Sequence, residues 1–238
     1  MEEILKLQKI IDGAKDIVFF GGAGVSTESG IPDFRSQDGL YKLKYDYPPE
    51  QILSHTFFNY HTREFFDFYR DKMLYLNAKP NAAHYKLADL EKQGKLSAIV
   101  TQNIDGLHQK AGSSDVLELH GSVWRNYCTH CGKFYHVESV ANSQGVPYCD
   151  CGGIIKPDVV LYEEGLDKDI LEISIKHIEE ADTLIIGGTS LNVYPAAGLV
   201  DYFHGKNLVV INKGKPSKII PDALYIDGKI GEVLSQIK

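Results

Sequence analysis

The short apolar run Asp16-Ile17-Val18-Phe19-Phe20 breaks off into Gly21-Gly22-Ala23-Gly24, and this junction constrains the chain more than any other stretch. The β-branched and aromatic residues predict a buried strand, and the glycines let the backbone turn tightly where it leaves the sheet. A strand ending in glycines is the geometry of a nucleotide site, because the unpaired N–H groups of a helix that follows would favour a pyrophosphate. The dinucleotide fingerprint is incomplete, however. Gly22 and Gly24 supply its first two glycines, but Thr27 stands where the third belongs, and no acidic residue ends a second strand about 20 residues on. The glycines lead instead into Gly30-Ile31-Pro32-Asp33-Phe34-Arg35, which can set a charge and an aromatic face beside a ligand. An ordinary dehydrogenase is therefore disfavoured.

Other apolar runs repeat the pattern. Ala98-Ile99-Val100-Thr101 ends in Gln102-Asn103-Ile104-Asp105, Val116-Leu117-Glu118-Leu119 ends in His120-Gly121, and Thr183-Leu184-Ile185-Ile186 ends in Gly187-Gly188-Thr189-Ser190. Leu208-Val209-Val210-Ile211 ends in Asn212, and Ala223-Leu224-Tyr225-Ile226 is a last short run. Between them, helices are predicted over residues 2–14, from Asn81 to Lys92 with Gly94 as the stop, from Leu166 to Glu180 and from Pro195 to Phe203. Strands alternating with helices predict an α/β fold, a Rossmann-like parallel sheet with helices on both faces. In such sheets ligands bind beyond the carboxyl ends of the strands, where these polar tips lie. The aromatic stripe of Phe57, Phe58, Phe65, Phe66, Phe68 and Tyr69 predicts one or two helices between His55 and Leu76 with a packed inner face.

Cys128-Thr129-His130-Cys131 and Cys149-Asp150-Cys151 are two close pairs at zinc-ribbon separation. The spacing predicts one tetrahedral zinc held by Cys128, Cys131, Cys149 and Cys151, with disulfides as the alternative. Four sulfur ligands leave no open position for water, so the metal is expected to be structural. The single residue between Cys149 and Cys151 departs from the usual two, and His130 and His136 are expected to face solvent.

The chain has 238 residues, 43% of them apolar, and a net charge of −7. That is enough apolar material for one large domain or a domain with a smaller companion, and the acidic balance argues against a grip on nucleic acid. No leader-like segment stands before Glu2-Glu3, and no apolar run approaches the roughly 20 residues of a membrane span, so a cytoplasmic location without membrane association is expected.

The stretch from Gly22 to Arg35, with Thr101-Gln102-Asn103-Ile104-Asp105-Gly106-Leu107-His108, Leu119-His120-Gly121, Gly188-Thr189-Ser190-Leu191, Val193-Tyr194-Pro195-Ala196 and the paired cysteines, resembles the sirtuins in order over nearly the whole chain. These are NAD-dependent protein-lysine deacetylases and deacylases. The resemblance implies a NAD-binding domain from 1–39, 80–124 and 156–238. It implies a small domain from a helical insertion, 40–79, and the zinc ribbon, 125–155.

The resemblance also implies site roles. His120 is the general base that activates a ribose hydroxyl, and Asn103 and Asp105 hold the ribose and nicotinamide with Gln102 and Ile104 beside them. Gly22, Ala23, Gly24, Thr27 and Arg35 lie along the phosphates and the nearby ribose, and Phe34 stabilises the charge at the sugar and excludes stray water. Gly188, Thr189, Ser190, Asn212 and Ile230 hold the adenosine half. Acyl-lysine peptides or proteins are the implied partners, added as a strand along Val160, Leu161 and Tyr162. There the family's Phe-Gly-Glu is replaced by Tyr162-Glu163-Glu164, which leaves the loop's shape open. Tyr60-x-x-Arg63 has the spacing that reads acidic acyl groups but occurs about two helical turns too early, so simple acyl groups such as acetyl are expected. ADP-ribosyl transfer to protein or water and removal of longer acyl groups remain alternatives, as does a zinc-ribbon binding module without catalysis.

Overall fold

The computed structural model describes residues 2–33, 46–214 and 220–238. Helix α1 (Glu2–Gly13) leads into strand β1 (Ile17–Gly21), followed by α2 (Pro49–Ile52), α3 (His55–Tyr60), α4 (Thr62–Lys72), α5 (Ala82–Lys92) and β2 (Leu96–Thr101). Then come α6 (Leu107–Ala111), β3 (Val116–Glu118), β4 (Gly121–Cys128), β5 (Phe134–His136), α7 (Glu138–Ala141) and β6 (Ile155–Val159). The chain closes with α8 (Lys168–Glu180), β7 (Thr183–Gly187), β8 (Asn207–Asn212), β9 (Leu224–Asp227) and α9 (Ile230–Leu234).

Among the described residues six strands form a parallel sheet in the order β3-β2-β1-β7-β8-β9, as the alternation of strands and helices predicts. Period-2 alternation sorts each strand between two cores. In β1, Ile17 and Phe19 enter the core beneath α1, α5 and α9, while Val18 and Phe20 enter the core beneath α8. All four are fully buried, and each apolar side chain removed from water contributes about 1.5–3 kcal/mol. The chain runs from β1 to one side as β2 and β3, then returns to the other side as β7, so the order reverses between β1 and β7. That reversal is where an open sheet leaves a crevice at its carboxyl edge.

A second sheet, β5-β4-β6, is antiparallel and shares a core with the aromatic face of α3 and α4. Phe58, Phe65 and Phe66 meet edge to face at centroid distances of 5.1, 5.2 and 6.0 Å, so the aromatic stripe is core, as expected. The helix expected from Pro195 to Phe203 is instead 3₁₀ over Ala196–Tyr202. Pro195 lacks an N–H and Gly198 is a poor helix former, and the Gly198 N–H bonds back three residues to the Pro195 carbonyl at 2.9 Å. None of the helices among the described residues is long and apolar enough to cross a membrane.

Helix α5 begins with a reciprocal cap. The Asn81 side chain accepts the Ala83 N–H at 2.9 Å, and His84 Nδ1 accepts the Asn81 N–H at 3.2 Å. His84 lies 4.7 Å, ring to ring, from His108 on α6, and both rings are buried. Burial pushes His84 down to about 4 and His108, which also faces His84, down to about 3. Both rings are thus neutral when folded and take up protons when unfolded. Stability is complete above the ordinary histidine value of 6.5 and is lost as the pH falls towards 4 and then 3. Each proton tilts stability by about 1.4 kcal/mol per pH unit. Chemical denaturation of the protein between neutral pH and pH 4 should show this slope, and His108→Leu should flatten it by about one proton. An unchanged slope would separate acid unfolding from the histidine pair.

Candidate active site

The tips of β1 and β7 touch through backbone alone. The Gly22 N–H donates to the Gly187 carbonyl at 3.2 Å and the Gly24 N–H to the Gly188 carbonyl at 2.8 Å. A Cβ on Gly24 would stand 2.8 Å from Gly188 Cα, and Gly188 itself has φ +60°. The glycines are therefore required by the contact between two loops as well as by any ligand. No long helix follows them; two 3₁₀ turns, Ala23–Val25 and Thr27–Ser29, present the backbone instead. Asn81 fixes this loop by donating to the Val25 carbonyl at 2.8 Å and to Ser29 Oγ at 2.9 Å. Glu28 accepts the Gly231 N–H at 2.7 Å, which draws the start of α9, and Ile230 with it, against Gly187.

The tip of β2 joins the same edge. The Gln102 N–H donates to the Gly21 carbonyl at 2.9 Å and its side chain to Thr189 Oγ1 at 3.2 Å. Asp105 has both oxygens engaged: Oδ2 accepts from Ser26 Oγ at 2.6 Å and Oδ1 from the Leu107 N–H at 2.9 Å. Asn103 Nδ2 donates to the same Ser26 oxygen at 3.1 Å. Burial raises the Asp105 carboxyl above its usual range, and the two donors oppose that rise. Ser26 is thus a hub that sequence reasoning misses. Its only signal is its place inside the glycine-rich loop.

His120 follows β3 at the neighbouring strand end. Its Nδ1 lies 2.9 Å from the Gln102 carbonyl, which can only accept, so Nδ1 carries the proton and Nε2 is left as the basic atom. Burial lowers the imidazole below 6.5, and the carbonyl bond opposes part of that shift. His120, Asn103, Ile104, Asp105 and Gln102 line one cavity of about 800 Å³ together with Gly22, Ala23, Gly24 and Thr27. The same cavity is lined by Gly188, Thr189, Ser190, Asn212 and Ile230, and by Val160, Leu161 and Tyr162. Every described residue expected to hold NAD or the acyl-lysine strand thus lines this one cavity. Phe34 and Arg35 lie outside the described residues. Tyr60 is 81% exposed and Arg63 reaches towards Asp67 on the outer surface of α4, away from the cavity.

The Val160–Tyr162 segment leaves β6 between two neighbours. The Val160 N–H donates to the His120 carbonyl at 3.0 Å, and Tyr162 pairs with Leu53 and His55 through both of its backbone groups. Glu163, where the family pattern has glycine, adopts φ +76°. The loop thus keeps a left-handed turn at a cost of about 1–2 kcal/mol for a residue with a Cβ. Its carboxylate accepts the Thr56 N–H at 2.8 Å, which holds the turn against the start of α3.

The four cysteines carry no disulfide, and their sulfurs all lie within 4.8 Å of one another. Cys128 Sγ is 3.4 Å from Cys151 Sγ, and Cys131 Sγ is 3.6 Å from Cys149 Sγ. Four sulfurs at about 2.3 Å from one tetrahedral zinc stand about 3.8 Å apart, so this donor set fits zinc. The short Cys149-x-Cys151 spacing is accommodated by a turn in which the Gly152 N–H bonds back to Cys149 and Gly152 takes φ +84°. Tyr135 Oη donates to Cys149 Sγ at 3.0 Å. His130 and His136 are exposed, as expected. The eight residues of β4 separate this cluster from the His120 end by roughly 20 Å, so zinc here would hold the strand rather than the reacting atoms.

The Sir2 family model matches residues 22–195. An NAD-dependent protein deacetylase of Clostridium acetobutylicum is 61% identical over 241 residues, covering 100% of this chain and 98% of the relative, and one from Clostridium perfringens is 59% identical over 240 residues, covering 99% and 98%. A solved structure of Sir2 with p53 peptide and NAD+ is 38% identical with a TM-score of 0.86, covering 96% of this chain and 94% of the other. Another, Sir2 with a propionylated peptide, is 37% identical with a TM-score of 0.85, covering 97% and 95%. On the strand-tip geometry and these matches together, the chain belongs to the Sir2 family.

Proposed function

We propose that the protein is an NAD-dependent protein-lysine deacetylase that transfers the acetyl group of acetyl-lysine to ADP-ribose and releases nicotinamide. The observation that carries this is His120, with Nδ1–H committed to the Gln102 carbonyl and Nε2 left basic in the cavity shared with Asn103 and Asp105. NAD supplies a glycosidic bond that breaks to release nicotinamide and a ribose that receives the acyl group. Our assignment gives Gly22, Ala23, Gly24 and Thr27 the phosphates, and Gly188, Thr189, Ser190, Asn212 and Ile230 the adenosine half. Gln102, Asn103, Ile104 and Asp105 hold the nicotinamide riboside, Arg35 serves the phosphates and nearby ribose, and Phe34 keeps stray water from the sugar.

His120 Nε2 takes the proton from the ribose hydroxyl while the Gln102 carbonyl keeps the ring in the correct tautomer. The Asp105 carboxyl, fixed by Ser26 and the Leu107 N–H, accepts from or donates to the nicotinamide amide according to its own protonation, which burial favours. The acyl-lysine peptide or protein lies along Val160, Leu161 and Tyr162, and the apolar wall of Leu53, Met73, Ile104 and Val123 surrounds its acyl group. Zinc on Cys128, Cys131, Cys149 and Cys151 supplies a structural crosslink, and its thiolates suit the reducing cytoplasm. We take 1–39, 80–124 and 156–238 as the NAD-binding domain and 40–79 with 125–155 as the small one.

Incubation with acetylated peptide and NAD should release nicotinamide and yield acetylated ADP-ribose by mass spectrometry. Modified protein instead of acetylated ADP-ribose would point to ADP-ribosyl transfer. His120→Ala should lower turnover by at least about two orders of magnitude, the scale of general-base loss. Because burial lowers its imidazole, the acid limb of the kcat/KM profile should have its midpoint below 6.5, the base form persisting as the pH falls to that point. A limb centred above 6.5 would remove His120 from that role. Metal analysis should find about one zinc per chain, and Cys151→Ser should lower Tm. Full Tm without zinc would refute a structural metal.

A further inference from the structure

Trp124, on β4, makes contacts that none of the roles above requires. Its neighbour Val123 donates its N–H to the Ile104 carbonyl at 3.0 Å, so β4 lies directly beside the turn that carries Asp105. The indole Nε1–H then donates to the Asp105 backbone carbonyl at 2.8 Å. The ring also covers Gly106, the residue at φ +72° that starts α6. A Cβ there would lie 2.7 Å from Nε1 and 2.8 Å from Cδ1. A hydrogen bond and a flat apolar face thus hold the Asp105-Gly106 turn. The same ring is half-buried, packs on the core of the small sheet and lines the cavity.

We propose that Trp124 is a positioning residue for Asp105, fixing the carboxyl's direction towards the nicotinamide by holding the backbone from which it projects, and that its indole senses occupancy of the cavity. This rests on the deacetylase reading given above. Ser26, on the β1 loop, and the Leu107 N–H restrain the two carboxyl oxygens, but neither bond engages the Asp105 carbonyl, which the indole holds. Without the indole the carbonyl turns to other donors and the turn carries the carboxyl with it. Displacements of about 1 Å at a group that orients a reactant can cost as much as 10²-fold in rate. The effect should fall on the nicotinamide end of the site, because the indole holds the Asp105 carbonyl and covers Gly106, beside the carboxyl assigned to the nicotinamide.

The test compares the wild type with Trp124→Phe, which keeps an aromatic wall but removes the donor. In steady-state assays with acetylated peptide, the variant should show a KM for NAD and an inhibition constant for nicotinamide each raised about tenfold, with the peptide KM within about twofold and Tm nearly unchanged. A purely structural role would lower Tm and move both substrates' KM values together. NAD and nicotinamide constants within twofold of the wild type in a folded variant would overturn the proposal. Trp124 is the protein's single tryptophan. Titrating the unmodified protein with nicotinamide or NAD should therefore change its intrinsic emission saturably, and no change would overturn the sensing claim even if the variant fails to fold. Nicotinamide release by the wild type in the same assay tests the underlying activity separately, so failure of the inference is distinguishable from failure of the deacetylase reading.

Discussion

Everything at the site hangs from the place where Gly24 and Gly188 touch. Two parallel neighbours, β1 and β7, part at their carboxyl ends, and their loops would diverge if the Gly22 and Gly24 N–H groups did not bond to the Gly187 and Gly188 carbonyls. The contact is possible only without side chains, since a Cβ on either partner meets backbone at under 3 Å. Once made, it fixes the height of Ser26 above the sheet, and Ser26 in turn fixes Asp105 and Asn103. The pocket is therefore a consequence of strand order, and its polar wall is a consequence of one backbone approach.

The small sheet is tied to that framework by charge as well as by packing. Arg125 donates to Glu118 at 2.6 Å and to Asp158 at 2.7 Å, joining the end of β3 in the large sheet to β6 in the small one. Ion pairs that are partly buried and hydrogen-bonded through a guanidinium are stronger and more directional than exposed ones. His120 sits two residues beyond Glu118 and its carbonyl accepts from Val160, so the histidine is held from both sheets. At its far end β4 enters the cysteine cluster. A metal held there by Cys128, Cys131, Cys149 and Cys151 would stiffen the strand on which Val123, Trp124 and Arg125 stand, without a step in the reaction.

The buried strands β1, β2, β7 and β8 are legible in the sequence because fully covered parallel strands read as continuous apolar runs, and the polar residues at their tips mark the site's edge. The cysteine pairs are legible because two close pairs at zinc-ribbon separation are what four sulfur ligands around one metal require. β4 is not legible. Asn126 is fully buried within it and Arg125 serves two carboxylates, so the strand lacks the alternation that announces a half-buried strand. Ser26 escapes for a different reason: a serine among glycines reads as a turn residue until the distant carboxyl it serves is known. The Tyr162-Glu163-Glu164 departure leaves the loop's shape open in the sequence, and Glu163 takes the glycine-like conformation and uses its carboxylate to cap α3, a compensation visible only once Thr56 is beside it.

The mechanism requires a dinucleotide to lie across these strand tips with its glycosidic bond beside the free Nε2 of His120. A crystal structure of the protein with NAD bound tests it most directly. A hydroxyl of the nicotinamide ribose should stand at hydrogen-bond distance, about 2.6–3.2 Å, from His120 Nε2, with the carboxamide on Asp105. A dinucleotide bound elsewhere, or seated in the cavity with its ribose out of reach of that nitrogen, would contradict it.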